Sequence, residues 1–218
     1  MVARSFIFDM NGTMVDDMEY HTIAWYKVLN NLNANMSLEE TKLHMYGKAE
    51  EMFDRIFGEN KFEPDVLQKI ILSKEQAYQD AFRPHLHLIA GLHAFLQKAK
   101  QKNIGLAIGT AAPTTNVEFV LDNLHLRDFF PVVVDAQDVE KSKPDPEVFL
   151  KCAELLQVNP TDAIVFEDAP KGVEAARNGG FKAIVLTTFH EAKDFEQYDN
   201  VLFCIENYED ERLNDLFK

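Results

Sequence analysis

The chain has 218 residues, is 46% hydrophobic and carries a formal charge of −14, from 22 Lys and Arg against 36 Asp and Glu. That length suits one domain with a large insertion, or two modest domains. The acidity disfavours polyanions, so neither nucleic acid nor an anionic membrane is an expected partner, although a small phosphate ester in a locally basic pocket stays open.

Ser5-Phe6-Ile7-Phe8 is an apolar run that ends in Asp9, and Asn11-Gly12 then forces a turn. A buried parallel strand delivers a carboxylate to a sheet edge in this way. In open α/β sheets, ligands sit just beyond the carboxyl ends of the strands. The run is too short for a secretory signal, and no stretch approaches the roughly 20 apolar residues of a membrane span. A soluble, cytoplasmic monomer is expected. Cys152 and Cys204 lack metal-ligand spacing and read as reduced core or near-core thiols.

From Asp16 the character changes to a helical segment rich in Glu, Lys, Met and Phe. Tyr20, Ala24, Trp25, Val28, Leu29 and Leu32 recur at helical spacing. Ser37-Leu38-Glu39-Glu40 has the form of a capping box, and Pro64 opens a helix that runs through Lys74 and Tyr78. From about Leu88, helix and strand alternate. Helices are expected at 91–102, 114–123, 144–156 and 170–178. Strands are expected at 104–109, 131–134, 163–166, 181–186 and 201–205. This order predicts an α/β fold: a doubly wound parallel, Rossmann-like sheet over 1–15 and 86–218, with a helical bundle inserted over 16–85.

Polar groups collect where those strands end: Asp9 with Asn11, Thr110, the Lys141-Ser142-Lys143 turn, and Glu167-Asp168. Three acids make a hard-oxygen site suited to Mg²⁺. A carboxylate can also act as a nucleophile toward phosphorus. Thr110 could hold a phosphoryl oxygen, and Lys143 would offset negative charge as a point cation. Taken singly, each has a plainer reading, with Thr110 capping the next helix and Lys143 solvated. Together they suit phosphoryl transfer, where positioning and charge neutralisation dominate.

Phe8-Asp9-Met10-Asn11-Gly12-Thr13, Gly109-Thr110, Lys143-Pro144-Asp145-Pro146 and Val165-Phe166-Glu167-Asp168-Ala169-Pro170-Lys171-Gly172 resemble the four ordered motifs of the haloacid dehalogenase superfamily. The helical insertion resembles that superfamily's C1-type cap. Asp16-Asp17-Met18-Glu19-Tyr20-His21 is similar to the cap start of its β-phosphoglucomutase and phosphatase subgroup. The resemblance implies that Asp9 is the nucleophile and a Mg²⁺ ligand, and that residue 11 gives its backbone carbonyl to the metal. Glu167 and Asp168 would complete the metal site. Thr110, with its neighbour Ala111, and Lys143 would bind the phosphoryl group. From the cap, His21, Gly47, Lys48 and Lys74 would serve the substrate, a small phosphorylated metabolite such as a sugar phosphate, or pyrophosphate.

Two departures from the pattern matter. The side chain at position 11, an Asp in the superfamily, would be the general acid and base, and here it is Asn. An amide preserves the shape but cannot exchange the proton, so Asn11 is expected to spare the fold and cripple turnover. The otherwise intact site points to an engineered replacement, with a natural non-catalytic phosphate-ester binder as the second reading. Near Gly47 the mutases carry an Arg for a second phosphate, where this chain offers Lys48, Glu50 and Glu51. A Lys grips a second phosphate less well than an Arg fork. A phosphatase is therefore favoured over a β-phosphoglucomutase.

Overall fold

Strand β1, Ser5–Phe8, lies at the centre of a sheet and is buried along its whole length. The computed structural model describes residues 4–218, so the first three residues of the expected segment 1–15 lie outside it. β1 is followed by β2 (Gly105–Gly109), β3 (Val132–Val134), β4 (Ala163–Glu167), β5 (Lys182–Leu186) and β6 (Val201–Ile205). Among the described residues these six strands form one parallel sheet in the order β3-β2-β1-β4-β5-β6. Strand order reverses between β1 and β4, so a crevice opens at their carboxyl ends.

Side chains along β1 alternate between two buried faces. Phe6 and Phe8 meet the rings of Phe95 and Phe166 on one face. Ile7 joins Ala107, Val165, Phe149 and Cys152 on the other. Double burial explains why β1 reads as an unbroken apolar run. The Cys152 thiol is buried in this second layer, and burial pushes its pKa up to about 12.

The described residues fall into two compact units, one running to Asp16 and resuming over His87–Lys218, the other Asp17–Leu86. The second unit consists of α1 (Met18–Asn31), α2 (Leu38–His44), α3 (Ala49–Phe57) and α4 (Pro64–Phe82), with a short 3₁₀ turn at Arg83–His85. Trp25, Leu29, Met52, Phe53 and Ile71 form its core. Ser37 caps α2 as its sequence suggests: its hydroxyl accepts the Glu40 N–H, and the Glu40 carboxylate accepts the Ser37 N–H at 2.7 Å.

In the sheet unit, helices α5 (Leu92–Gln101), α6 (Thr114–Asn123), α7 (Glu147–Leu156) and α8 (Pro170–Asn178) connect the strands. The expected helix over 144–156 starts three residues late. Pro146 is its N-cap, and the Asp145 carboxylate accepts the Glu147 N–H at 3.0 Å. Lys143 and Pro144 therefore belong to the preceding loop. Among the described residues, no helix is long and apolar enough to cross a membrane.

Candidate active site

Asp9 follows β1 directly, and its N–H donates to the Phe166 carbonyl of β4 at 2.9 Å. Glu167 is the last residue of β4, and Asp168 comes next. The adjacency of β1 and β4 thus brings three carboxylates to one sheet edge. Asp9, Glu167 and Asp168 are all buried, and each offers an oxygen within 4.8 Å of the others. Lys143 reaches in from the loop before α7, with Nζ at 2.6 Å from Asp9 Oδ1 and 2.8 Å from Glu167 Oε1. Burial alone would lower the pKa of that ammonium. The Asp9 and Glu167 charges outweigh burial and hold it above the ordinary lysine range.

Charge decides what such a cluster can hold. Three carboxylates against one ammonium leave an excess of two negative charges among these four buried groups. Isolated buried carboxylates are costly unless paired or bound to a metal. The donor set is all oxygen and therefore hard, which fits a Mg²⁺ ion rather than zinc or copper.

Glu167 is held in place from several sides. Its Oε2 accepts the N–H groups of Asp168 and Ala169 at 2.8 and 2.7 Å. Gly172, in the first turn of α8, leaves the space that its carboxylate fills. A Cβ at position 172 would lie 1.7 Å from Glu167 Oε1. Gly172→Ala is accordingly expected to push Glu167 aside and weaken Mg²⁺ binding by about 10- to 100-fold. Isothermal titration calorimetry with Mg²⁺ would test this, and unchanged affinity would refute it.

The turn after Asp9 is shaped by Gly12, which has a φ of +70°. Met14 N–H donates to the Met10 carbonyl at 2.8 Å, and the Thr13 hydroxyl to Asp168 Oδ1 at 3.4 Å. Asn11 is half-buried on this turn. Thr110 follows β2 at the same sheet edge and is buried. Its hydroxyl accepts the Ala112 N–H at 3.1 Å, while Pro113 is the N-cap of α6, so the expected alternative role as a helix cap does not hold. Ala111 is half-buried in the same loop.

Within the helical unit, His21 and Lys74 meet, with Lys74 Nζ 2.6 Å from His21 Nδ1. Lys74 also contacts Glu75 at 3.1 Å and sits over the Trp25 ring. Burial lowers the Lys74 pKa, against the opposing charges of Glu75 and Asp17. Asp17, fully buried, accepts the Tyr78 hydroxyl at 2.5 Å, and Tyr78 stacks on His21. Asp17, Glu75 and Tyr78 are not among the sequence-predicted site residues; the adjoining Asp16-Asp17 pair was the only local sign of them. Gly47 and Lys48 lie in the loop between α2 and α3. Lys48 N–H donates to Glu51 Oε2 at 3.1 Å, so Glu51 serves the helix start.

Residues 6–186 match the haloacid dehalogenase-like hydrolase family. The chain belongs to that family. This haloacid dehalogenase-like hydrolase is 30% identical to a β-phosphoglucomutase of Bacillus subtilis over 188 residues, which covers 83% of this chain and 82% of that one. It is also 30% identical to a phosphorylated carbohydrates phosphatase of Thermotoga maritima, over 82% of each chain. A crystal structure of a family hydrolase from Entamoeba histolytica shares the fold, with a TM-score of 0.85 at 23% identity over 98% of this chain and 99% of that one. The family expected from the four motifs, and the fold class expected from the alternation of strand and helix, are both met.

Proposed function

We propose that the enzyme is a Mg²⁺-dependent phosphohydrolase of sugar phosphates or other small phosphomonoesters, or of pyrophosphate, with Asp9 as its nucleophile. The observation that carries this reading is the buried Asp9 carboxylate, ion-paired to Lys143 within a three-acid cluster at the sheet's switch point. Asp9 attacks phosphorus, and the bond to the leaving oxygen breaks. That oxygen needs a proton. Water then attacks the aspartyl-phosphate, releases inorganic phosphate and restores Asp9, giving up a proton as it does so.

Lys143 supports the transferring group with its ammonium, and the Thr110 hydroxyl orients it. Asp9, Glu167, Asp168 and the carbonyl of residue 11 would hold Mg²⁺, which when bound draws negative charge from the phosphoryl oxygens. Both proton transfers belong to the side chain at position 11. Asn11 can perform neither, so turnover by this chain is slow. We read Asn11 as a replaced Asp in an otherwise intact site, engineered rather than inherited, and a parent gene encoding Asn there would overturn that reading.

The choice of phosphatase over mutase rests on the 44–51 loop. Arg55 is the arginine close to it, and its guanidinium donates to the carbonyls of His44 and Tyr46 at 2.8 and 2.5 Å. In that stretch this chain offers Lys48, Glu50 and Glu51 where a mutase carries an Arg, and the two acids would repel a second phosphate.

Phosphate release with Mg²⁺ would be measured for this chain and for Asn11→Asp. The panel holds hexose 1- and 6-phosphates, smaller phosphomonoesters and pyrophosphate. A coupled assay for glucose 6-phosphate from β-glucose 1-phosphate runs beside it. Fast release from one compound class by Asn11→Asp supports the phosphatase. A response in the coupled assay alone would make the enzyme a β-phosphoglucomutase. Binding without turnover by either protein would favour the second reading, a non-catalytic phosphate-ester binder.

A further inference from the structure

The turn that carries residue 11 is clasped by two hydroxyls from the far end of the chain. Thr188, just past β5, donates from Oγ1 to the Gly12 carbonyl at 2.5 Å, across 176 residues of sequence. Tyr208, just past β6, donates from its phenol to the Thr13 carbonyl at 3.0 Å, across 195 residues. The two carbonyls are consecutive, so the Gly12–Thr13 and Thr13–Met14 peptide planes, which follow the residue 11 to Gly12 peptide, are both held.

Both donors are themselves held. Tyr208 is 5% exposed, and its ring packs against Phe8, Phe95 and Phe166. Its own N–H donates to the Ala90 carbonyl at 2.9 Å. Burial, reinforced by the charges of Asp168 and Asp9, keeps the phenol protonated and therefore a donor. Thr188 follows Thr187, whose N–H donates to the Ile205 carbonyl of β6 at 2.9 Å. The hydroxyls thus project from the bend after β5 and from the aromatic core onto the turn that carries residue 11. Thr13 passes the constraint on, because its side chain bonds Asp168.

We propose that Thr188 and Tyr208 are positioning residues: through the Gly12 and Thr13 carbonyls they hold residue 11 at its working angle beside Asp9. The inference rests on the assignment of Asp9 and residue 11 to phosphoryl transfer. A packing role alone would alter stability without separating kcat from KM. A positioning role alters kcat most, since a misplaced proton donor costs rate rather than binding.

The test uses Thr188→Val and Tyr208→Phe, alone and together, with two readouts. Amide hydrogen exchange at Thr13 and Met14, followed by NMR in the Asn11 protein, is expected to quicken about five- to tenfold per lost hydrogen bond. In the Asn11→Asp background, kcat is expected to fall about 10- to 100-fold with KM within about twofold. Thr188→Ser should restore both. Thr187→Val, which removes the neighbouring hydroxyl that bonds Ile205 and not the turn, should change neither. Unchanged exchange overturns the inference whatever the activity. Faster exchange with unchanged kcat in an active Asn11→Asp enzyme also overturns it and leaves a merely structural clasp. If Asn11→Asp is inactive on every compound, the phosphohydrolase reading fails, and the exchange readout alone decides whether the clasp holds the turn.

Discussion

Asn11→Asp is expected to raise Mg²⁺-dependent phosphate release by about 10²- to 10⁴-fold, the usual worth of a positioned general acid and base. The gain should lie almost wholly in kcat. Asn and Asp have nearly the same shape, so the Gly12 turn and its hydrogen bonds remain as they are, and ground-state binding changes little. What changes is whether the leaving oxygen can receive a proton and the attacking water can lose one. A second consequence tests the same idea without catalysis. Asn11→Asp places a fourth carboxylate two residues from Asp9, in a cluster that already carries excess negative charge. The melting temperature of the variant should therefore rise more steeply with Mg²⁺ than that of the Asn11 protein, since a ligand stabilises the state that binds it better. A gain below tenfold at saturating Mg²⁺, with substrate binding intact, would remove position 11 from the proton transfers.

Much of this site could be read locally because three of the four motifs are short apolar runs closed by a candidate site residue. Ser5–Phe8 ends in Asp9, and Ala163–Phe166 runs into Glu167 and Asp168, so burial and chemistry are adjacent in the sequence. The alternation of strand and helix then dictated a parallel sheet, and a parallel sheet gathers its strand ends. What could not be read depends on contacts across the chain. No local pattern says that Gly172 exists to make room for a carboxylate five residues earlier. Tyr208 and Thr188 look like ordinary strand-end residues until the fold sets them against Gly12 and Thr13. Nothing local in the sequence marks Arg55, which donates to the loop before α3 and stacks on Tyr46. The start of α7 was misplaced for a related reason. A helix start at 144 would make Pro144 a first-turn proline, whereas residues 143–146 form the loop that brings Lys143 to Asp9.

Lys143→Met should destabilise the protein by about 3–5 kcal/mol in Mg²⁺-free buffer, the usual cost of breaking a buried ion pair from one side. Lys143 is 8% exposed, and its partners are buried, so solvent screens these charges weakly. The ion pair is no great source of stability in itself, because desolvating the ammonium offsets much of its attraction. The loss comes from what remains: Asp9, Glu167 and Asp168 crowded together with no lysine among them. Two controls separate this from lost packing. Methionine keeps most of the side chain's apolar volume and removes only the ammonium, whose Nζ lies 4.6 Å from the centroid of the Phe149 ring. Asp9→Asn added to Lys143→Met removes one repelling charge and should return part of the stability, giving a coupling of about 0.5–3 kcal/mol in a double-mutant cycle. Mg²⁺ should also rescue the single variant, because it supplies the missing positive charge. Urea unfolding with and without Mg²⁺ measures all three effects. If Lys143→Met is as stable as its parent without Mg²⁺, the acidic cluster does not depend on that cation, and the electrostatic case for a divalent metal at this site falls with it.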